Sequence, residues 1–316
     1  MAVILIAKVV DQYYSHKVVI KIKLTEYDKS LFRLISTSGT CTLEQARQIY
    51  KPFSNNQWYH YKRIQRLEEN GYLIKRSSYL ELTKRSAEII GEVKYRFRHD
   101  GVREIHAEIA DIVLSLGLDF ISNRQLRTEY GLNRKTYFKG AVIINGYYYF
   151  LYLLGDKPSV QHIGGIRSEL KTYSSSGITR KAIVFAPTPT AMSIFGDDSC
   201  KQDELFLLPY PSGLNLLNNF FTPETEDYLN SLFPNAVTSR YPFANYETIS
   251  QYVTILVLND IAKRNALTGY FKSPHQPKPV TIICLESQNQ LFASHYPKAK
   301  LITLPETIIS RKASNQ

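Results

Sequence analysis

The sequence predicts an α+β amino-terminal domain followed by a larger α/β domain with a mixed sheet. Two observations support this prediction. Between residues 24 and 92, amphipathic segments with clear cap residues lead into two short alternating segments, which indicates helices and then a hairpin. Beyond residue 99, apolar runs alternate with amphipathic segments, an order typical of α/β domains. We therefore expect one domain over residues 1–98 and a second over residues 99–316.

The helices of the first domain have recognisable ends. Thr25 and Thr42 each precede an amphipathic segment with acidic or amide residues in its first turn, so both are expected to be N-caps. Pro52 should end the second helix. Ser54 is the expected N-cap of a third helix, which should end before Gly71, because glycine readily takes the left-handed conformation of a helix terminus.

A hairpin should follow this glycine. Tyr72–Lys75 and Tyr79–Leu82 alternate around the polar tip Arg76-Ser77-Ser78, and Thr83 is the expected cap of another helix. Two further strands are expected ahead of the first helix, in MAVILIAKVV and VVIKIKL. Three helices followed by a short basic hairpin resemble a winged helix-turn-helix DNA-binding domain, which implies that the third helix enters the major groove.

The third helix carries amides, aromatic rings and basic residues. Asparagine can bind adenine and arginine can bind guanine through paired hydrogen bonds, while lysine and arginine also bind phosphates. With about 100° of rotation per residue, one face of this helix is expected to be polar and the other apolar. The expected DNA-binding residues are Asn55, Asn56, Tyr59, Lys62, Arg63 and Arg66 on the helix, with Lys75 and Arg76 on the hairpin.

The charge distribution agrees with this interpretation. The whole chain has a net charge of +11. Residues 1–98 contain 18 Lys and Arg against 9 Asp and Glu, whereas residues 99–316 contain 21 against 19. A basic excess in the first domain is what a polyanionic partner would attract.

Other features restrict the class of protein. The cysteines Cys41, Cys200 and Cys284 lie far apart, which is unlike a disulfide framework or a zinc site. The first residues lack the pattern of a signal peptide, and the longest apolar run, Tyr147–Leu154, is far shorter than the roughly 20 residues that span a bilayer. Phosphate-binding loops and paired histidines are missing from the sequence. We expect a cytoplasmic protein with no membrane association, metal or cofactor.

In the second domain, a helix over Val102–Leu116 should precede a hairpin that turns at Asn145-Gly146, and another helix is expected over Val160–Tyr173. Further strands are expected in KAIVFAPT, DELFLLPY, VTILVLN, VTIICLE and LITLP.

The order winged helix, helix, hairpin, helix and strand resembles the replication-relaxation proteins of plasmids and integrated elements, over residues 25–190. That resemblance implies a core like that of restriction endonucleases, which needs an acid on the first hairpin strand and an acid-x-Lys pair on the second. Phe138-Lys139-Gly140 stands where the first acid belongs, and the second strand has no acid before Asp156. The resemblance therefore implies a degenerate nuclease.

Two other acidic groups have a spacing that a metal site could use. Glu169-Leu170-Lys171 has the required spacing but falls on an expected helix, where residues two apart point in different directions. Glu108 and Asp111 would share one helix face. We interpret both as solvent-exposed helix surfaces.

Taken together, these features predict a sequence-specific double-stranded DNA-binding protein of a phage or plasmid, which forms a homodimer and has no catalytic residues. Such a protein would be a transcriptional regulator or an origin-binding accessory in replication or transfer. The alternatives are a DNA-processing enzyme (nuclease, relaxase or replication initiator) and an adaptor whose winged helix binds proteins.

Overall fold

The computed structural model describes residues 22–54, 56–97, 99–132 and 136–305. The chain divides into two compact units, Met1–Leu114 and Ser115–Gln316. The two strands expected within residues 1–24 lie almost entirely outside the described residues. Within the described residues, the fold is α+β, with twelve α-helices and a mixture of parallel and antiparallel strand pairs. None of the described helices has the length and apolar character needed to cross a membrane.

The first unit contains five helices and a three-stranded sheet among its described residues. In chain order they are α1 (Glu26–Ser38), β1 (Cys41–Thr42), α2 (Leu43–Tyr50), α3 (Tyr59–Glu69), β2 (Leu73–Arg76), β3 (Tyr79–Leu82), α4 (Lys84–Ile89) and α5 (Asp100–Ser115). The sheet order is β1-β3-β2 and all pairs are antiparallel.

Local capping explains where these helices begin. Thr25, Thr42 and Thr83 each accept a hydrogen bond from the backbone three residues on, and each forms a reciprocal capping box. After α3, Gly71 has a φ of +71°, a conformation that glycine adopts without strain. These caps agree with the sequence-based expectations.

Helix α5 belongs to the first unit for almost its whole length, so the boundary expected after residue 98 is too early. Ala110 lies in the core of this unit, and the side-chain amide of Gln45 donates to the carbonyl of Ala107 at 2.8 Å. On the same helix, Arg103 pairs with Glu81 of β3 at 2.6 Å. A polar segment precedes α5 in the sequence, but the apolar face of the helix packs against the core of the first unit.

The second unit contains two five-stranded sheets. Its elements are β4 (Phe120–Ser122), α6 (Asn123–Glu129), β5 (Gly140–Ile144), β6 (Tyr147–Leu153), α7 (Val160–Ser175), β7 (Lys181–Ala186), α8 (Pro189–Phe195), β8 (Glu204–Pro209), α9 (Ser212–Phe220), α10 (Pro223–Leu232), β9 (Val237–Thr238), β10 (Tyr246–Glu247), β11 (Tyr252–Ile255), α11 (Ile261–Lys272), β12 (Val280–Leu285), α12 (Asn289–His295) and β13 (Lys300–Leu304). The sheet orders are β4-β5-β6-β7-β8 and β13-β12-β11-β10-β9.

Both sheets are mixed. Strands β6, β7 and β8 run parallel, as do β11, β12 and β13, while the remaining pairs are antiparallel. The expected mixed pairing is confirmed, but the strands form two sheets where one was expected. The hairpin strands and β7, β8, β11, β12 and β13 coincide with predicted strands, whereas β4, β9 and β10 were not predicted. The β5–β6 hairpin turns at Asn145 and Gly146, whose φ values are +50° and +78° as a type I′ turn requires.

Candidate nucleic-acid interface

The segment before α3 is a polar turn. Ser54 Oγ accepts from the backbone nitrogen of Asn56 at 3.2 Å, and Asn56 Oδ1 accepts from that of Trp58 at 2.9 Å. Helix α3 begins only at Tyr59, with Trp58 at the N-cap position. Ser54 is therefore not the cap of this helix, and Asn55 lies outside the described residues.

Arg63 corrects the expected DNA-binding set. Its side chain is buried, and Nε donates to Asp28 Oδ1 at 3.0 Å while a terminal nitrogen binds Oδ2. A terminal nitrogen also donates to the carbonyl of Lys23 at 2.8 Å. Since its donors are used inside the domain, Arg63 is not placed to bind guanine.

Asp28 is the centre of this buried network. It is fully buried, and it also accepts from the Tyr50 hydroxyl at 2.8 Å and from the Thr25 backbone nitrogen at 2.7 Å. Burial acts to raise the pKa of Asp28, but the hydrogen bonds from Arg63, Thr25 and Tyr50 outweigh burial and lower it. A charged carboxylate at this position holds α1, α2 and α3 together.

Because Arg63 is buried, helix α3 is rotated about its own axis relative to the expected orientation. His60, Arg63, Ile64 and Leu67 face the interior. Tyr59 is half-buried, and its ring lies 5.0 Å from that of Phe53. Tyr59 was expected to reach base edges, so this second correction follows from the same rotation of the helix.

The exposed face of α3 carries cations and aromatic rings. Lys62 and Arg66 are exposed, one turn apart, as the sequence predicted. Trp58 and Tyr61, which were not among the expected DNA-binding residues, are 59% and 44% exposed, with ring centroids 5.8 Å apart. Gln65 is exposed on this face as well. Residues 58, 61, 62 and 65 have the spacing of one helix face. The sequence would have predicted this face if Arg63 had been assigned to the interior.

The β2–β3 hairpin presents a second basic surface. Lys75 and Arg76 are exposed at its tip, where Ser77 turns the chain with a φ of +53°. Among the described residues, Lys62, Arg66, Lys75 and Arg76 form no ion pair within 4.0 Å. Their charges are therefore available to a ligand.

A small cavity of about 170 Å³ lies at the start of α3, between Arg47, Lys51, Ser54 and His60. His60 is buried, and its Nε2 atom has no hydrogen-bond partner within the described structure. Burial, together with the positive charge of Arg47, lowers the pKa of His60. The side chains of Arg47, Lys51 and Ser54, which line this cavity, can donate hydrogen bonds to a phosphate oxygen.

The acid-x-Lys pair on α7 has a structural role. Glu169 is half-buried and accepts from the backbone nitrogens of Tyr137 at 2.8 Å and Phe138 at 3.2 Å, and from the Tyr152 hydroxyl at 3.1 Å. Burial raises the pKa of Glu169 despite these bonds. Lys171 points elsewhere, to Asp198 at 2.8 Å. The expected solvent-exposed surface is thus wrong for Glu169, which anchors the segment leading into β5.

Within the described residues, His, Cys, Asp and Glu side chains form no group of three that could hold a metal ion. Comparison with models of known protein families, with curated proteins and with solved structures found no match.

The revised boundary changes the charge comparison. Residues 1–114 contain 19 Lys and Arg against 13 Asp and Glu, and residues 115–316 contain 20 against 15. The two units therefore have similar net charges, because α5 is acidic. The argument for a polyanionic partner then depends on the exposed cations of α3 and the hairpin tip in particular, and no longer on the net charge of the first unit.

Proposed function

We propose that this chain is a sequence-specific double-stranded DNA-binding protein whose first unit contains a winged helix-turn-helix. Helix α3 enters the major groove, and the β2–β3 hairpin contacts the adjacent backbone or minor groove. The observation that carries the proposal is a set of exposed cations on these two elements that have no ion pair within the described structure, namely Lys62, Arg66, Lys75 and Arg76.

The arrangement of elements supports a groove-binding helix. Helix α3 has eleven residues, and the major groove, about 12 Å wide, admits a helix of ordinary diameter. Glu68 and Glu69 are exposed at its carboxyl end, where they would repel phosphates. The part of α3 ahead of Glu68 therefore approaches the duplex, with its amino-terminal residues nearest the bases, as in other helix-turn-helix proteins.

Base contacts come from a revised set of residues. Asn56 and Gln57 are exposed immediately before α3, and Gln65 is exposed on it. A side-chain amide can pair with adenine. For Asn56 this contact replaces the hydrogen bond from the Trp58 backbone nitrogen, and for Gln65 it replaces the bond from Nε2 to Glu69 Oε1 at 3.0 Å. Trp58 and Tyr61 offer apolar contact area beside these amides, while Lys62 and Arg66 bind phosphates or guanine. In this proposal Arg63 and Tyr59 do not contact bases. Their contacts within the domain fix the orientation of the helix.

Sequence-specific readers of this kind usually bind two half-sites as a dimer. We propose that this protein is a homodimer in the cytoplasm and that its DNA is a regulatory or origin sequence of a phage or plasmid. The assignment to a phage or plasmid rests on the resemblance of the sequence to replication-relaxation proteins. In this proposal the second unit carries no catalytic activity and supports dimerisation or partner binding.

A second candidate function is protein docking through α3. The exposed Trp58–Tyr61 pair favours it, because exposed aromatic side chains are enriched where proteins meet. The salt dependence of binding distinguishes the two functions. Binding that depends on phosphate contacts weakens steeply as salt increases, whereas binding centred on an aromatic pair does not.

The test begins with the purified full-length protein and a pool of random duplexes. Repeated selection should enrich a palindromic sequence, and the bound strands should stay intact on a denaturing gel with and without Mg²⁺. A pool that stays random after selection would contradict sequence-specific binding. Mg²⁺-dependent nicking of the selected site would instead support a DNA-processing enzyme.

A further inference from the structure

The second unit contains a cavity of about 280 Å³ that the proposed DNA-binding function does not use. It lies where the amino-terminal ends of β7 and β8 meet α10, α11 and the segment after β11. Charged, aromatic and apolar side chains all line it. A volume of this size is close to the lower limit for small-molecule sites, about 300 Å³.

Asp260 forms part of the cavity wall and is almost completely buried. Its Oδ1 atom caps α11 by accepting from the Lys263 backbone nitrogen at 3.3 Å, and it also accepts from that of Leu205 at 3.2 Å. Its Oδ2 atom has no hydrogen-bond partner within the described structure, and the nearest cation, Lys263 Nζ, is 3.6 Å away. Burial raises the pKa of Asp260, despite the positive charge of Lys263, because the charged form is costly in these surroundings. A cationic ligand that donates to Oδ2 would stabilise the charged carboxylate.

The second buried charge in the cavity is already balanced. Glu204 accepts from Lys181 Nζ at 3.0 Å and from the Tyr149 hydroxyl. The same ammonium group lies 4.2 Å from the ring centre of Tyr147. Because Lys181 is committed to these groups, it does not supply a free positive charge for an anionic ligand.

The remaining charges favour a cation. Glu226 lines the cavity from α10 and is exposed, with no ion pair among the described residues. The lining contains three carboxyl groups, those of Asp260, Glu204 and Glu226, and two lysines, Lys181 and Lys263. The electrostatic environment therefore attracts positive charge.

Aromatic rings form the apolar part of the wall. Phe206 stacks between Tyr149, at a centroid distance of 5.4 Å, and Phe221, at 6.5 Å. Stacked rings accept a flat apolar body, and their faces attract cations. The cavity thus combines an unsatisfied acceptor with aromatic surfaces.

We propose that this cavity binds a small organic cation, a primary amine or guanidine with an aromatic or aliphatic body. Its nitrogen donates to Asp260 Oδ2, its body lies against Phe206 and Phe221, and Glu226 adds electrostatic attraction. The proposal does not depend on DNA binding, since every group involved lies in the second unit.

Isothermal titration of the full-length protein with tyramine, agmatine and cadaverine tests this proposal. At least one amine should bind with a saturable heat, and 4-hydroxyphenylacetate, which has a carboxylate in place of the charged aminomethyl group of tyramine, should not. Absence of binding by all three amines at concentrations up to about 5 mM, equivalent to a binding free energy weaker than about 3 kcal/mol, would overturn the proposal. Equal binding of 4-hydroxyphenylacetate would overturn it as well.

Two substitutions locate the site. Asp260→Asn should weaken amine binding at least about tenfold, because a hydrogen bond to a charged group is lost. Glu226→Gln changes an exposed side chain and should weaken binding about two- to fivefold. Glu224→Gln is the matched control, since Glu224 is exposed in the same first turn of α10 but does not line the cavity. Unchanged affinity in Glu226→Gln, or equal losses in Glu226→Gln and Glu224→Gln, would show that the amine binds elsewhere, even if Asp260→Asn fails to fold.

Discussion

Substitution of Arg63 by methionine tests whether the orientation of α3 depends on the buried ion pair. Methionine keeps an unbranched apolar side chain but removes every donor to Asp28. The fully buried carboxylate would then retain only the Thr25 backbone nitrogen and the Tyr50 hydroxyl. Removing one partner of a buried ion pair costs about 3–5 kcal/mol, a large part of the roughly 5–15 kcal/mol that stabilises a domain.

The free energy of unfolding can be followed for the first unit alone. Trp58 is the only tryptophan of the chain and lies in this unit, so its emission during a urea titration reports the unfolding of that unit. Lys62→Ala is the matched control, because it changes an exposed cation next to Arg63 and should alter stability by no more than about 0.5 kcal/mol.

A double-mutant cycle with Asp28→Asn gives the sharper result. Neutralising Asp28 removes the uncompensated charge, so the double variant should be more stable than the sum of the single losses by about 0.5–3 kcal/mol. A loss below about 1 kcal/mol for Arg63→Met, or strictly additive losses, would refute the assignment of Arg63 to the interior.

Three further predictions concern Trp58, Asp28 and Gly146. The emission of Trp58 should change saturably when the selected duplex is added, because its exposed ring lies on the proposed groove face; an unchanged signal while mobility shifts show binding would place α3 away from the DNA. Burial raises the pKa of Asp28 but the hydrogen bonds, above all from Arg63, lower it below its ordinary value of 3.8. The stability that depends on the charged form is therefore complete above that pH and is lost as the pH falls through the lowered pKa. Acid titration of the first unit should show this loss, and Asp28→Asn should abolish it; identical pH dependence in both proteins would contradict the prediction. Gly146→Ala should destabilise the second unit by about 1–2 kcal/mol, because alanine is strained at a φ of +78°. Gly155→Ala, which has equally open surroundings without a positive φ, should have a smaller effect in thermal unfolding, and equal effects would show that the turn geometry is unimportant.

Features decided by neighbouring residues could be predicted from the sequence. The caps at Thr25, Thr42 and Thr83 depend on residues three positions away, and the hairpin turn depends on the Asn145-Gly146 pair. Such interactions are local. They appear in the sequence as short patterns with a direct structural meaning.

Features decided by distant residues could not be predicted in this way. Arg63 looks like a surface cation until Asp28, 35 positions earlier, is placed beneath it. Without that pair, the polar face of α3 was expected on the side of Tyr59, while the exposed face actually contains Trp58 and Tyr61. The aromatic part of the candidate site was missed for this reason. Lys62 was predicted correctly because it lies on both the expected and the observed exposed face.

The two sheets of the second unit illustrate the same limit. The longer strands were visible as apolar runs, whereas the short strands β4, β9 and β10 were not predicted. Pairing between strands depends on contacts far apart in the chain. Helix α5 shows it as well. The sequence indicates where this helix begins, but only its packing against Gln45 and Glu81 shows which unit it belongs to.

The salt dependence of DNA binding tests the central claim most directly. Affinity for the selected duplex is measured over a series of salt concentrations for the unmodified protein, for Lys62→Ala/Arg66→Ala, and for Lys84→Ala. Lys84 is an exposed cation on α4, is not one of the proposed DNA contacts, and its Nζ atom lies 3.6 Å from Glu88 Oε1. Each lost phosphate contact lowers the slope of log affinity against log salt by about 0.9, so the double variant should lose about 1.8 and Lys84→Ala should match the unmodified protein. Equal slopes for all three proteins, or binding that does not respond to salt, would contradict DNA recognition by helix α3.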